Sequence, residues 1–439
     1  MYAGLNVIQD AEDRAIAVAF TDRMRYKAFI EAGEYFIAKH GLIIGGPSAT
    51  RFLLGQPAPS IATFQYDLFS NRVAMHAREL GDALFQLDPQ GLSHYTTVLT
   101  KVADYLLTVM VDGRELFNLM YIPNHQGVRI TEIITTTTRP AQFATDSSGA
   151  PLGILCASPE IQLIAIYAAL CNPAKAAEWE SLLAEESGLR ALLGEKGNQV
   201  PDLACTLGGA ARPSERFRQV LWDKYIPGPG RVLIGPAAIA RLTEKKSALC
   251  GGRLQVITAG RLEGDAQEIT ALAKSAGAEV SWKINDPKIP MEHRIRRMTI
   301  YTVNAGRRDP ILDIYNSACF DLVPYVASPG TGIKVGTPFV LMRYRLIDLW
   351  TIQFLVRMGA VHENFAQMQI TEIWSSYTAV AAHYESVAKS CSPEAAADQL
   401  MPLAAYIGRL EEPGIALKRA AQASGKFYPP YFPASRARE

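Results

Sequence analysis

Leu42-Ile43-Ile44-Gly45-Gly46-Pro47-Ser48, followed by Gln65-Tyr66-Asp67-Leu68-Phe69-Ser70, decides how this chain is read. Three apolar residues make a short buried strand. Gly45-Gly46 then turns the chain into a helix, with Pro47 suited to its first turn. Phe64 to Phe69 is a second strand. On it Gln65 and Asp67 share one face, because side chains in a strand alternate with a period of two.

The flanking sequence extends this into an α/β unit with a mixed sheet. Ala11 to His40 has Phe20, Met24, Phe29, Phe36 and Ile37 at helical spacings, and Gly41 ends it. Arg72 to Gln86 is a helix with Ala74, Ala77, Leu80, Ala83 and Leu84 on one face. Tyr105 to Val111 and Leu116 to Ile122 are strands, and Asp112-Gly113 between them is a hairpin signal. Thr137 to Gly153, with Pro140, Ser147-Ser148-Gly149 and Pro151, reads as a boundary. Pro159 to Leu193 is helical, and Ile226-Pro227-Gly228-Pro229-Gly230 reads as a linker.

The segment after this linker repeats the first. Val232-Leu233-Ile234-Gly235-Pro236-Ala237-Ala238 matches Leu42 to Ser48, and Leu254 to Thr258 lies where Phe64 to Leu68 lay. Gly45 to Asp67 spans 67 − 45 = 22 positions, and Gly235 to Ile257 spans 257 − 235 = 22. The second copy therefore has no acid at the Asp67 equivalent. A helix over Asp265 to Ser275 follows, then strands near Glu279 to Lys283 and Met298 to Val303. Phe339 to Arg409 is mostly helical, and Phe427 to Glu439 reads as a tail. The expected division is a site-bearing domain over 1–140, a helical connector over 141–225, a second non-catalytic domain over 226–335, and C-terminal helices and tail over 336–439.

Composition narrows the function classes. With 439 residues the chain is long for a single core. Lys and Arg total 44 against 43 Asp and Glu, so no global charge draws it to nucleic acid or anionic membrane. No apolar run is long enough for a membrane span, and Met1 to Asp10 lacks the pattern of a signal peptide. Cys156, Cys171, Cys205, Cys250, Cys319 and Cys391 form no CxxC and no zinc spacing, as expected of buried reduced thiols. The seven His residues show neither HxH nor HExxH spacing, and none is assigned a role. Gly45-Gly46 lacks a full GxGxxG, which argues against a dinucleotide enzyme.

Five blocks in order resemble the poly(A) polymerase catalytic subunit family of large nucleocytoplasmic DNA viruses. They are Leu42 to Leu54, Phe64 to Ser70, Ser158 to Trp179, Ile314 to Val326 and Gly336 to Trp350. The resemblance implies an α/β (α+β) fold with two nucleotidyltransferase-like mixed-sheet domains of the polymerase-beta type, the second inert, joined by helical segments. It implies adenylate transfer from ATP to RNA 3′ ends with two Mg²⁺ ions, in a dimer with a like or unlike partner. The family pattern is Asp-Tyr-Asp-Phe-Phe-Ser, where this chain has Gln65-Tyr66-Asp67-Leu68-Phe69-Ser70. The third family Asp precedes a Tyr-hydrophobic-Pro ending, here Tyr121-Ile122-Pro123, and its matching position is Asn118. Of three acids only Asp67 remains. Glu178 stands before Trp179, where the family tends to carry a basic residue.

Two-metal phosphoryl transfer needs ionised carboxylates at close range, because Mg²⁺ is a hard ion and the ions clamp attacking and leaving oxygens. Gln65 and Asn118 keep the shape and lose two charges. Asp112 sits at the hairpin tip, more than about 10 Å from Asn118 at about 3.3 Å per residue. Glu115 is nearer, but its odd offset from Asn118 places it on the other face of a regular strand. The candidate site is therefore degenerate at Gln65, Asp67 and Asn118, with Asp67 its one candidate metal ligand and Gly45, Gly46 and Ser48 its candidate nucleotide-binding residues. No cofactor is expected unless the site is active, when Mg²⁺ is required. A basic face over His293 to Arg297, with Arg307, Arg308, Arg343 and Arg345, is the one candidate for RNA. The expected role is an inactive, structural or assembly protein of a large DNA virus, located in the virion or host cytoplasm. Its expected partners are other viral proteins or a second copy of itself. The alternative is an active adenylyltransferase with a non-standard metal site.

Overall fold

A computed structural model describes residues 26–56, 65–87, 96–102, 106–122, 135–193, 213–242, 253–285, 295–304, 306–316, 323–328, 330–390, 406–407 and 431–433. The chain divides into two compact units, residues 1–162 with 414–439, and residues 163–413.

The first unit begins, among the described residues, with helix α1 over residues 26–40. Strand β1 (Ile43–Gly45), helix α2 (Gly46–Leu53), β2 (Tyr66–Ser70) and α3 (Val73–Phe85) follow. Then come β3 (Thr96–Val102), β4 (Leu106–Val111), β5 (Arg114–Tyr121), β6 (Thr135–Thr145) and β7 (Pro151–Ala157). They form a seven-stranded sheet in the order β3-β4-β5-β2-β1-β7-β6. The β4–β5 turn puts both Asp112 (φ 52°) and Gly113 (φ 78°) in the left-handed region, as a two-residue hairpin turn of the right twist requires. Strands β6 and β7 occupy the stretch where the sequence suggests a boundary. Their turn closes on the Asp146 carboxylate, which accepts the amides of Ser148 (2.8 Å) and Ala150 (3.0 Å).

Helices α1 and α3 cover one face of this sheet. Ile30, Ile37, Leu80 and Leu84 are buried against Tyr66, Leu68 and Phe117. Glu34 is buried in α1, where its carboxylate accepts the Tyr66 hydroxyl and, at 3.4 Å, the Ala144 amide. A carboxylate this deep must be hydrogen-bonded. The C-terminal residues read as a tail are described only at 431–433. There Tyr431 exchanges backbone hydrogen bonds with Val98 of edge strand β3 (2.8 and 2.9 Å), and its hydroxyl donates to Asp82 at 2.6 Å. A covered edge cannot pair with another chain.

Helix α4 (Pro159–Leu170), a 3₁₀ segment (Pro173–Glu178) and helix α5 (Trp179–Leu193) come next. Helix α6 (Pro213–Val220), ending in a π turn over Leu221–Tyr225, precedes β8 (Arg231–Ile234) and α7 (Gly235–Leu242). The expected linker is here a turn within the second unit, braced by Arg231, which donates to the Tyr225 carbonyl (2.7 Å) and pairs with Asp265 (3.1 Å). The chain continues as β9 (Leu254–Thr258), α8 (Leu262–Ser275), β10 (Glu279–Asn285), β11 (Arg296–Asn304), β12 (Arg307–Asn316), β13 (Val323–Ala327) and β14 (Lys334–Gly336). Helices α9 (Pro338–Arg357) and α10 (Glu363–Ser390) and the short β15 (Tyr406–Ile407) complete it.

The second sheet runs β10-β11-β12-β9-β8-β14-β13-β15. Its first seven strands reproduce the first sheet in order, and each shared pairing has the same sense. Strands β1–β2 and β8–β9 are antiparallel, while β2–β5 and β9–β12, like β1–β7 and β8–β14, are parallel. The fold is thus mixed α/β with an internal duplication. Among the described residues no helix is long and apolar enough to cross a membrane.

The duplication extends to one backbone detail. Gly46 has φ +61° and Gly235 φ +70°; a Cβ at Gly46 would lie 2.1 Å from an Asp67 carboxylate oxygen, and one at Gly235 would lie 2.0 Å from the Gln255 side-chain oxygen. The left-handed conformation alone costs a residue with a Cβ about 1–2 kcal/mol. We expect Gly46→Ala and Gly235→Ala each to lose about 2 kcal/mol or more in denaturant unfolding. Gly264→Ala, in α8 with open space around it, should be neutral or stabilising by up to about 1 kcal/mol. Equal behaviour of the three variants would contradict the steric account.

Candidate functional site

The sheet face that carries Asp67 is built by register. Asp67 of β2 is paired with Gly45 of β1 on one side and Asn118 of β5 on the other. Asn118 is in turn opposite Thr108 of β4. The three side chains form one chain of hydrogen bonds. Thr108 donates its hydroxyl to Asn118 Oδ1 (2.7 Å), and Asn118 Nδ2 donates to Asp67 Oδ1 (3.0 Å). An amide at position 118 can donate to a carboxylate, which an ionised acid there could not do.

The glycines serve packing at close range. A Cβ at Gly45 would stand 2.6 Å from the Phe69 ring, and one at Gly46 would strike the Asp67 carboxylate. Ser48 is buried, and its hydroxyl donates to the Gln65 carbonyl at 2.8 Å, tying α2 to the start of β2. Gln65 Nε2 donates to Glu115 Oε2 at 3.2 Å, and Lys101 pairs with the other oxygen of Glu115.

That last contact corrects the placement of Glu115. The ladder between β4 and β5 passes from Val109 opposite Phe117 to Met110 opposite Glu115, so Leu116 is the extra residue of a β-bulge. Leu116 and Phe117 are both buried in the core, and the alternation resumes with Glu115 on the face of Gln65 and Asp67. Parity counted along a regular strand fails at the bulge. Among the described residues, Asp67 and Glu115 are therefore the carboxylates on this face. Asp112 is exposed at the turn tip.

Charge on this face is tightly constrained. Burial raises the Asp67 pKa above the ordinary carboxylate value; the Asn118 hydrogen bond opposes this, and the Glu115 charge adds to it. Glu115 is itself committed to Lys101 and Gln65. Among the described residues, Asp67 and Glu115 are the ones on this face that could hold a cation, and the Lys101 ammonium already stands beside Glu115.

The second unit repeats the frame with other residues. Gln255 stands opposite Asp313 as Asp67 stands opposite Asn118, and Thr299 stands opposite Asp313 as Thr108 does opposite Asn118. The bulge recurs, with Ile311 as its extra residue. The duplication thus aligns Gly235 with Gly46 and Gln255 with Asp67. Spacing from Gly45 places Ile257 there, but the glycine of positive φ, Gly46, is the correct anchor. Asp313 is buried and accepts Thr299 Oγ1 (2.6 Å) and Arg253 (2.6 Å). Helix α9 fills the position in front. Arg345 binds both Gln255 and Asp348, Gln255 Nε2 donates to Asp348 at 3.0 Å, and Tyr315 donates to the other Asp348 oxygen.

Arg343 and Arg345, read from sequence as part of a basic face, are therefore buried, at 3 % exposure each. Arg297 is also inward, close enough to Asp313, Asp348 and Tyr315 for all three to act on it. Arg296, Arg307 and Arg308 remain from that face, and Arg307 pairs with Asp309 at 2.9 Å. His293 and Arg294 lie outside the described residues. Cys156 and Cys171 are free and buried, and the other four cysteines lie outside the described residues.

No protein-family model matches the chain. Its sequence is similar to an uncharacterized protein of African swine fever virus. Two isolates, from South Africa and Namibia, are each 29 % identical over 447 residues, covering 99 % of this chain and 98 % of the relative. An isolate from Malawi is 28 % identical over 445 residues with the same coverage. The fold matches the crystal structure of the Megavirus polyadenylate synthase, with a TM-score of 0.68 over 99 % of this chain and 84 % of that one, at 12 % identity.

Two outcomes follow from these charges. An acid whose folded pKa is raised binds its proton more tightly folded than unfolded, so it lowers stability as pH rises through the raised value. Asp67→Asn should therefore be more stable than wild type at neutral pH, by about 1.4 kcal/mol for every tenfold by which folding tightens the proton on Asp67. The difference should shrink as pH falls toward the ordinary carboxylate range. A variant less stable than wild type at every pH would contradict this. In the second unit, Arg345→Ala should lose about 3–5 kcal/mol, toward the lower end because Arg297 remains near Asp348. Arg345→Met with Asp348→Leu should recover most of it in the same unfolding experiment.

Proposed function

We propose that this chain is a catalytically inactive poly(A)-polymerase-like protein of a large DNA virus. It acts as a structural or assembly component, as a virion protein or an inert polymerase subunit, through contacts with other viral proteins or a second copy of itself. In this reading residues 1–140 carry a degenerate site, and 226–335 carry its non-catalytic copy. The observation that carries the proposal is the Thr108–Asn118–Asp67 chain. The one acid retained at a family position is hydrogen-bonded to an amide where a second acid would stand, and its own charge is disfavoured. Two Mg²⁺ ions need several ionised oxygens in place, and amide dipoles do not replace that charge.

A second reading rests on the bulge. Because Glu115 shares the face of Asp67, a non-standard pair of Asp67 and Glu115 could ligate Mg²⁺ if Lys101 swung away. That reading is an RNA 3′ adenylyltransferase using ATP.

Template-free extension separates the two. Incubation with ATP, an RNA primer and Mg²⁺ or Mn²⁺ should give no extended product, and Asp67→Ala and Glu115→Gln should leave that result unchanged. Extension that vanishes in either variant would overturn the inactive reading and establish the second.

A further inference from the structure

The fold brings His40 of α1 beside His76 and Glu79 of α3, three side chains of metal-ligating type. His40 is the last residue of α1, and His76 and Glu79 lie one turn apart on α3. One ligand atom from each falls within 4.8 Å of the others. We propose that His40, His76 and Glu79 form a binding site for a divalent transition ion, Zn²⁺ in the first instance, that clips α1 to α3.

The orientation of the rings supports this. His76 is buried, and its Nδ1 lies 2.7 Å from Ser70 Oγ, which also accepts the Arg72 amide at 3.0 Å. The serine oxygen has two lone pairs. With the His76 proton on Nδ1, it accepts both bonds, and Nε2 presents its lone pair. That is the arrangement by which a second partner fixes a metal-bound histidine. Phe36 stacks on the His40 ring at 4.1 Å and meets His76 edge-on at 6.2 Å, giving the pair an apolar wall.

The donor set selects the ion. Two imidazoles and one carboxylate suit Zn²⁺, whereas Mg²⁺ and Ca²⁺ prefer oxygen alone. Zinc bonds of about 2.0–2.2 Å place tetrahedral ligands roughly 3.4 Å apart, so the three side chains must draw together by up to about 1.4 Å. His40 is half-buried and Glu79 reaches solvent, so both have room to do so. The carboxylate of Glu79 supplies one negative charge, and the carbonyl end of α1 favours a cation. Besides His40 itself, Arg72 is a positive group that acts on His76, and it opposes binding. The fourth position is left to water. Ser70 stands three residues beyond Asp67 and so on the opposite face of β2, which makes this site independent of the reading given for Asp67.

The test uses the full chain, stripped with chelator and titrated with Zn²⁺. Metal analysis should find one equivalent bound, with a rise in Tm of several degrees. Co²⁺ in its place should give the visible absorption of a four- or five-coordinate ion. His40→Gln and Glu79→Gln, neither at a buried position, should match the wild-type Tm in chelator and bind Zn²⁺ at least tenfold more weakly. Substoichiometric binding in wild type, or binding that neither substitution weakens, would overturn the proposal. The second result would place the ion elsewhere, for instance at cysteines.

Discussion

Each unit is organised around one close approach. A glycine in the left-handed conformation directly follows the first strand, and the side chain of the neighbouring strand lies where its Cβ would be. In the first unit the pair is Gly46 and Asp67; in the second it is Gly235 and Gln255. The contact holds the strand-to-helix turn against the sheet and sets which residue faces the site. Register then determines the rest. The partner of that side chain on the parallel strand is Asn118 or Asp313, and a threonine one strand further donates to it. The same bulge, at Leu116 and at Ile311, follows in both units. A constraint this local explains how two copies with different side chains keep one backbone.

On that shared frame the two copies have diverged in opposite ways. The second is closed: Arg345 and Asp348 of α9 fill the space before Gln255, with Tyr315 and Arg253 satisfying the remaining oxygens. Such a network is a matter of packing and desolvation, since a buried pair is maintained only while all its members are satisfied. The first keeps a half-buried face in which Asp67 and Glu115 are balanced by Lys101 and by amides. Amides at positions 65 and 118 let this face fold without metal. A cluster of three carboxylates repels itself when no cation is bound, whereas here Asn118 donates a hydrogen bond to Asp67 and Gln65 donates one to Glu115.

Much of this was legible in the sequence. The β1 turn and β2 were readable because a Gly-Gly-Pro turn between two apolar strands has few alternatives, and Asp112-Gly113 marked its hairpin for the same reason. The duplication was visible as a repeated apolar-Gly-Pro pattern, but its register slipped. Two adjacent glycines in the first copy match one in the second, and only backbone torsion distinguishes the equivalent one. Strands β6 and β7 were hidden because threonines, Pro140 and a Ser-Ser-Gly turn look like a loop until pairing is known. Parity along one strand puts Glu115 on the wrong face, because a bulge is a property of two strands, not of one. Arg343 and Arg345 were read as surface charge because nothing in their own helix reveals the acids that receive them. The His40, His76 and Glu79 grouping could not be seen at all, since it depends on how two helices lie on the sheet.

The central proposal is that the Asp67 face does not assemble a metal pair. Anomalous scattering from crystals grown with Mn²⁺ and a non-hydrolysable ATP analogue tests it most directly. The account predicts no Mn²⁺ within bonding distance of Asp67, with Asn118 still donating to its carboxylate. Two anomalous peaks about 3.5–4 Å apart, ligated by Asp67 and Glu115 with Lys101 displaced, would contradict it.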